Sequence, residues 1–174
     1  HIFDLPPDVG VSYTDPLLDL AASRGLYVEL VGLADTAQRV FNHGDHIRGL
    51  GTLCAFHSNC LIEIANEPNH ETQDPDIRHP NYLFELSQQV SEVVLTALGA
   101  SHGADDENPI YWGGDYATVH GHRKGGWDSV RHTREQQALR DSRSDLRKPV
   151  VNDEPDKFLT LDQHTSLGAL TKLY

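Results

Sequence analysis

Apolar and polar residues fall along the chain in blocks that switch between a helical and an extended period. Asp15-Pro16 reads as an N-cap followed by proline at the first helical position, and Leu17, Leu18, Ala21 and Ala22 form a stripe that Gly25 ends. Leu26 to Leu33 is a mostly apolar run suited to a buried strand. A second helix is expected from near Asp35 toward Phe56. Gly44, Gly49 and Gly51 weaken its middle, each by up to about 1 kcal/mol. Cys60 to Ala65 is a β-branched run typical of a strand, and it stops at Asn66-Glu67-Pro68. The clearest helical spacing runs from about Asn81 to Leu98. There Leu83, Leu86, Val90, Val93, Val94 and Ala97 share one face, and Gly99 stands as the C′ residue.

A polar loop from Ser101 to Asn108 precedes further extended runs. Pro109 to Trp112, Tyr116 to His120 and Pro149 to Pro155 read as strands. Trp127 to Asp145 reads as a charged outer helix anchored by Trp127, and one more helix is expected from Leu167. About five strands alternating with helices predict an α/β fold with a parallel sheet. Nothing divides the 174 residues into two domains, so residues 1–174 are expected to form one.

Composition narrows the function classes. Hydrophobic residues make up 38% and charged residues 23%, as in a globular protein. No apolar run is long enough for a membrane helix, so a membrane partner is not expected. A formal net charge of -12 disfavours phosphate backbones, so nucleic acid is not expected as a partner either. Neutral substrates are unaffected. Cys54 and Cys60 read as buried small hydrophobes, with a disulfide requiring a tight loop. The chain contains no Met, so it reads as a processed or partial sequence.

The chemistry sits at two strand ends. Glu67 and Glu154 each close an extended run and each is followed by proline, which ends strand pairing and turns the chain outward. In a (β/α)8 barrel the C-terminal strand ends form the active face. Two carboxyls facing each other across that mouth meet the requirement for glycoside hydrolysis, one as proton donor and one as nucleophile. A separation of roughly 5–5.5 Å would mean retention through a covalent intermediate.

The segment Leu61-Ile62-Glu63-Ile64-Ala65-Asn66-Glu67-Pro68-Asn69-His70 resembles the fourth-strand signature of glycoside hydrolase clan A, especially cellulase-like family 5. The resemblance implies that Glu67 is the acid/base and that Asn66 binds the sugar 2-hydroxyl. Lys148 to Pro155 resembles the seventh-strand signature, which implies Glu154 as nucleophile. Tyr116 to His120 resembles the sixth strand, which implies that His120 approaches the nucleophile. Together these segments imply barrel strands three to seven, over about residues 14 to 158. They also imply an oligo- or polysaccharide substrate, no cofactor and, by association with the family, a secreted or extracellular setting.

The chain departs from the family in places. The first-strand arginine and the eighth-strand tryptophan have no counterpart. The link from Trp112 to Ala117 is too short for a crossover helix. Five strands cannot close a barrel, so the alternatives are a fragment of a longer enzyme, or a unit that self-associates or joins another chain through open edges. An inert fragment or carbohydrate-binding subunit is the non-enzymatic alternative. Glu63 is expected to line the interior, and Trp112 is a candidate sugar-stacking platform. Among the eleven histidines, His43 with His46 and His120 with His122 read as rim or surface groups rather than as metal ligands.

Overall fold

The computed structural model describes residues 7–101, 111–120, 131, 135–139, 141–142 and 148–154, with the backbone alone for 7–11, 153 and 154. Helix α1 spans Pro7–Ser23 and leads to strand β1, Val28–Leu33. Helix α2, His43–Cys54, returns the chain to strand β2, Cys60–Ala65. Helix α3, Pro80–Ser87, precedes the short strand β3, Thr96–Ala97. Strands β4, Ala117–His120, and β5, Val150–Glu154, complete the described strands. The fold is mixed α/β with parallel pairing throughout: one sheet runs β1-β2-β3 and the other pairs β4 with β5.

Several boundaries differ from the sequence expectation. Helix α1 begins well before Asp15 and carries Pro16 inside it, so Asp15-Pro16 is not its N-terminus. Asp15 instead meets His57 Nε2 at 2.8 Å and ties α1 to the end of α2. Gly25, at φ 69°, does end the helix, with Leu26 N–H donating back to Ala21 O. The helix expected from Asp35 to Phe56 is two pieces. A 3-10 turn at Thr36–Gln38 comes first, and α2 then starts after Asn42, whose side chain accepts from Asp45 N–H at 2.9 Å.

The largest correction concerns Asn81 to Leu98. Helix α3 stops at Ser87, and tight turns carry the chain to β3. Leu83, Leu86, Val90, Val94 and Ala97 are all buried, as the spacing demanded, while Val93 is exposed. Gly99 follows β3 rather than capping a helix. Tyr111 and Trp112 are not in a strand, and Pro109 and Ile110 lie outside the described residues. Among the described residues the short link from Trp112 to Ala117 therefore joins no two strands. Residues 135–139 are helical, inside the helix expected over Trp127 to Asp145. Trp127, His122 and the segment from Leu167 lie outside the described residues.

The core lies between the β1-β2-β3 sheet and its helices. Ile62 and Ile64 of β2 pack with Ile47 and Leu53 of α2 and with Leu83 and Leu86 of α3. Each fully buried aliphatic side chain contributes about 1.5–3 kcal/mol. Cys54 and Cys60 are buried, as expected, but they are joined in a disulfide rather than free. The end of α2 and the start of β2 bring their Cα atoms to 5.1 Å, within the normal disulfide span.

Candidate functional site

Asn66 and Glu67 follow directly on β2. Asn66 N–H donates to Leu33 O at 2.9 Å, carrying the β1-β2 pairing one step past the strands. The chain then turns sharply: Glu67 has φ 44°, in the left-handed region, and His70 N–H donates to Glu67 O at 2.9 Å. A left-handed non-glycine residue costs about 1–3 kcal/mol, so its surroundings must hold it there. Pro68 is buried against Gly99. A Cβ on Gly99 would overlap the Ala65 carbonyl oxygen and press on the Pro68 ring at 3.1 Å.

His120 ends β4. Its Nδ1 lies 3.2 Å from Glu67 Oε1, with the two side chains 4% and 15% exposed. The β4-β5 ladder pairs Val119 with Asn152 but His120 with Glu154, skipping Asp153. Such an irregularity re-aims the chain where it occurs. It sets the Glu154 backbone beside His120, so His120 stands in register with one candidate carboxylate residue and in contact with the other.

The same pattern repeats below. Tyr116 OH donates to Glu29 Oε1 at 2.5 Å, and Thr118 Oγ1 donates to Glu63 Oε1 at 2.6 Å. Glu29 pairs with Leu61 in the β1-β2 ladder, and Leu61 and Glu63 alternate onto one face of β2, so both carboxylates share that face. Alternate residues Tyr116, Thr118 and His120 thus each meet a carboxylate from the other sheet or from its end. Glu63 is an interior side chain, as its place in the strand implied, and it also accepts from Ala100 N–H at 3.2 Å. The start of β4 reaches β3 through Asp115, whose N–H donates to Thr96 O at 2.6 Å and whose Oδ2 accepts from Thr96 N–H at 2.9 Å.

Trp112 does not fit the role of a sugar platform. It is 1% exposed, so its ring packs in the interior and turns no face to solvent. His43 and His46 flank Phe41 edge to face, with centroids 5.0 and 5.6 Å away. His43 Nδ1 lies 3.2 Å from Tyr82 OH. His46 Nε2 lies 3.1 Å from Gly32 O, which fixes it as the donor. Burial holds the His46 pKa below the usual imidazole value, and the His43 charge adds to this, against the Gly32 hydrogen bond. Burial likewise pushes the Tyr82 and Tyr111 hydroxyls up. Among the described residues no three His, Cys, Asp or Glu side chains group as a metal site, and no helix is long and apolar enough to cross a membrane.

Sequence reasoning missed the residue that holds the Glu67 turn. Gln73 is 2% exposed. Its Nε2 donates to Leu33 O at 3.3 Å and to Asn66 O, and its Oε1 accepts from Thr36 Oγ1 at 2.8 Å and Thr36 N–H at 3.4 Å. Gln73 lies in a polar stretch, Asn69 to Asp76, where nothing in the sequence separates it from a solvated loop residue. The alternation of Tyr116, Thr118 and His120 is visible in the sequence and is the signal that could mark all three.

Neither a family model, nor a curated protein, nor a solved structure matches this chain.

Proposed function

We propose that this chain is part of a retaining glycoside hydrolase, a (β/α)8 barrel represented by strands three to seven. The observation that carries the reading is His120, in contact with Glu67 and in register with Glu154. Parallel pairing in both sheets, and the meeting of Tyr116, just before β4, and Thr118, within it, with carboxylates of β1 and β2 across the interior, support a barrel rather than a flat sheet.

In this reading Glu154 attacks the anomeric carbon of a β-linked glycan, and the glycosidic C–O bond breaks as Glu67 gives its proton to the leaving oxygen. Water, deprotonated by Glu67, then displaces Glu154 and restores both groups. His120 orients the pair and Asn66 holds the sugar. No cofactor is needed. A neutral oligo- or polysaccharide suits the net charge of -12. The Cys54–Cys60 disulfide supports an oxidising, extracellular setting.

A second reading has its own observation. Among the described residues β1 is a sheet edge, with Tyr27 72% and Val31 40% exposed, and Tyr13, Leu17 and Leu20 of α1 are exposed nearby in sequence. This favours a unit completed by another chain, inert by itself and gaining function, or carbohydrate binding, on assembly.

Hydrolysis of aryl β-glycosides tests the first reading. Glu67→Gln and Glu154→Gln should each remove most of the turnover, and turnover that survives both substitutions rules the assignment out. Sedimentation addresses the second: a stable dimer supports completion by association, and a monomer that is active alone dismisses it.

A further inference from the structure

We infer that Gln73 is the positioning residue for Glu67, holding its backbone in the left-handed turn from which the carboxyl reaches His120. The inference rests, for its catalytic consequence, on the reading of Glu67 as acid/base.

A primary amide has two donor hydrogens and two acceptor lone pairs. At Gln73 all four are used, and they divide between two loops. Two contacts go to Thr36, in the turn that follows β1, and two go to the carbonyls of Leu33 and Asn66, at the ends of β1 and β2. The Asn66 carbonyl belongs to the peptide unit that leads into Glu67, so it fixes the plane about which the Glu67 φ of 44° is set. The other end of the clamp is also braced. Thr36 Oγ1 accepts from Asp74 N–H at 2.8 Å, and Ala37 N–H donates to Thr72 O at 2.9 Å. Asp35, just ahead of Thr36, is likewise left-handed at φ 51°. Two turns of similar strain, one after each strand, are therefore locked to one buried side chain.

The consequence for a general acid is specific. A proton donor must sit within hydrogen-bond reach of the leaving oxygen, and a small displacement costs most where protonation matters most. Releasing the clamp should therefore harm substrates with poor leaving groups and spare those whose leaving group departs without a proton.

The test uses the whole chain, with Gln73→Met, which keeps the bulk and removes the hydrogen bonds. Thr36→Val is the milder variant should Gln73→Met not fold, and Thr36→Ser retains the hydroxyl as its control. Amide exchange is read at Asn66 and His70, with Ile62 as the internal reference. Protection at Asn66 and His70 should fall by about tenfold or more while Ile62 holds. In hydrolysis, kcat/KM should fall roughly 10- to 100-fold for a phenyl glycoside and less than about threefold for a dinitrophenyl glycoside. Thr36→Ser should restore both properties. Unchanged exchange at Asn66 and His70 overturns the inference, as does an equal loss on both substrates. If the parent protein hydrolyses neither substrate, the glycosidase reading fails, and the exchange measurement still decides whether Gln73 holds the turn.

Discussion

Thr118 Oγ1 donates to Glu63 Oε1 at 2.6 Å in an interior that excludes solvent from both side chains. The bond joins β4 to β2, which belong to different sheets, so it fastens the two halves of the described fold. Removing the Thr118 hydroxyl takes the shorter of two hydrogen bonds from a buried carboxylate oxygen and leaves the one from Ala100 N–H, at a cost of about 1–3 kcal/mol. Thr118→Val should therefore lower the urea midpoint by a corresponding amount, with the denaturant slope unchanged. A Thr118→Val protein as stable as its parent would show that the two sheets are held together elsewhere.

Gly99 should not tolerate a side chain. Its φ of 147° is a backbone conformation L-residues rarely adopt, and a Cβ there meets the Ala65 carbonyl and the Pro68 ring. Gly99→Ala should lose more than about 1 kcal/mol of stability in thermal or denaturant unfolding. Because Ala65 and Pro68 bracket Asn66 and Glu67, the substitution should also disturb the His120–Glu67 contact, visible as changed ring resonances of His120.

Stability should rise with pH through the imidazole range, partly because of His46. Its folded pKa is lowered by burial. Below the unfolded value near 6.5 the unfolded chain binds a proton that the folded chain resists. The His46 contribution is thus fully present above that value and is lost as pH falls through it toward the folded pKa. Unfolding midpoints measured from pH 5 to pH 7.5 should show a shallower slope in His46→Gln than in the parent. The substitution leaves His43, which faces the same Phe41 ring, in place. Parallel slopes in the two proteins would remove His46 from the account.

Reduction should destabilise the chain modestly. The Cys54–Cys60 bridge closes a loop with a sequence separation of 6, for which loop closure predicts about 2 kcal/mol. Thiol titration in denaturant without reductant should find no reactive cysteine, and a reducing agent should lower the unfolding midpoint. Two titratable thiols in freshly isolated protein would contradict the bridge.

What the sequence disclosed followed from periodicity. β1, β2, β4 and β5 were legible as short runs carrying Val, Ile or Thr, those of β2 and β5 leading to a carboxylate before proline. β3 was hidden for a physical reason. Thr96 and Ala97 are too few to set a period of their own, and the residues before them, from Leu83 to Val94, satisfy a helical spacing even though the helix ends at Ser87. Burial there follows the spacing at Leu83, Leu86, Val90, Val94 and Ala97 but not at Val93, while conformation does not follow it, since several backbone paths can bury the same side chains. At the candidate site, Glu67 and Glu154 could be named from strand ends before proline, and His120 only from the resemblance carried by Tyr116 to His120. Gln73 could not, because its partners are mostly backbone atoms of Leu33, Thr36 and Asn66, and no residue pattern encodes a contact to a carbonyl. Trp112 was misjudged because an aromatic residue near a presumed strand end looks the same whether its ring faces solvent or core.

The carboxylates facing β4 also act as a spatial code. Tyr116, Thr118 and His120 occupy every second position, and each finds its own glutamate. Sliding the strand by a single residue would present Ala117 and Val119, with Asp115 or Gly121 at the third position, so all three carboxylates would lose their donors at once. Purely apolar interiors tolerate such slips far more readily, because one aliphatic side chain replaces another. Here misalignment is penalised at three levels together, so the polar interior itself tells β4 how far along its neighbours it must come to rest.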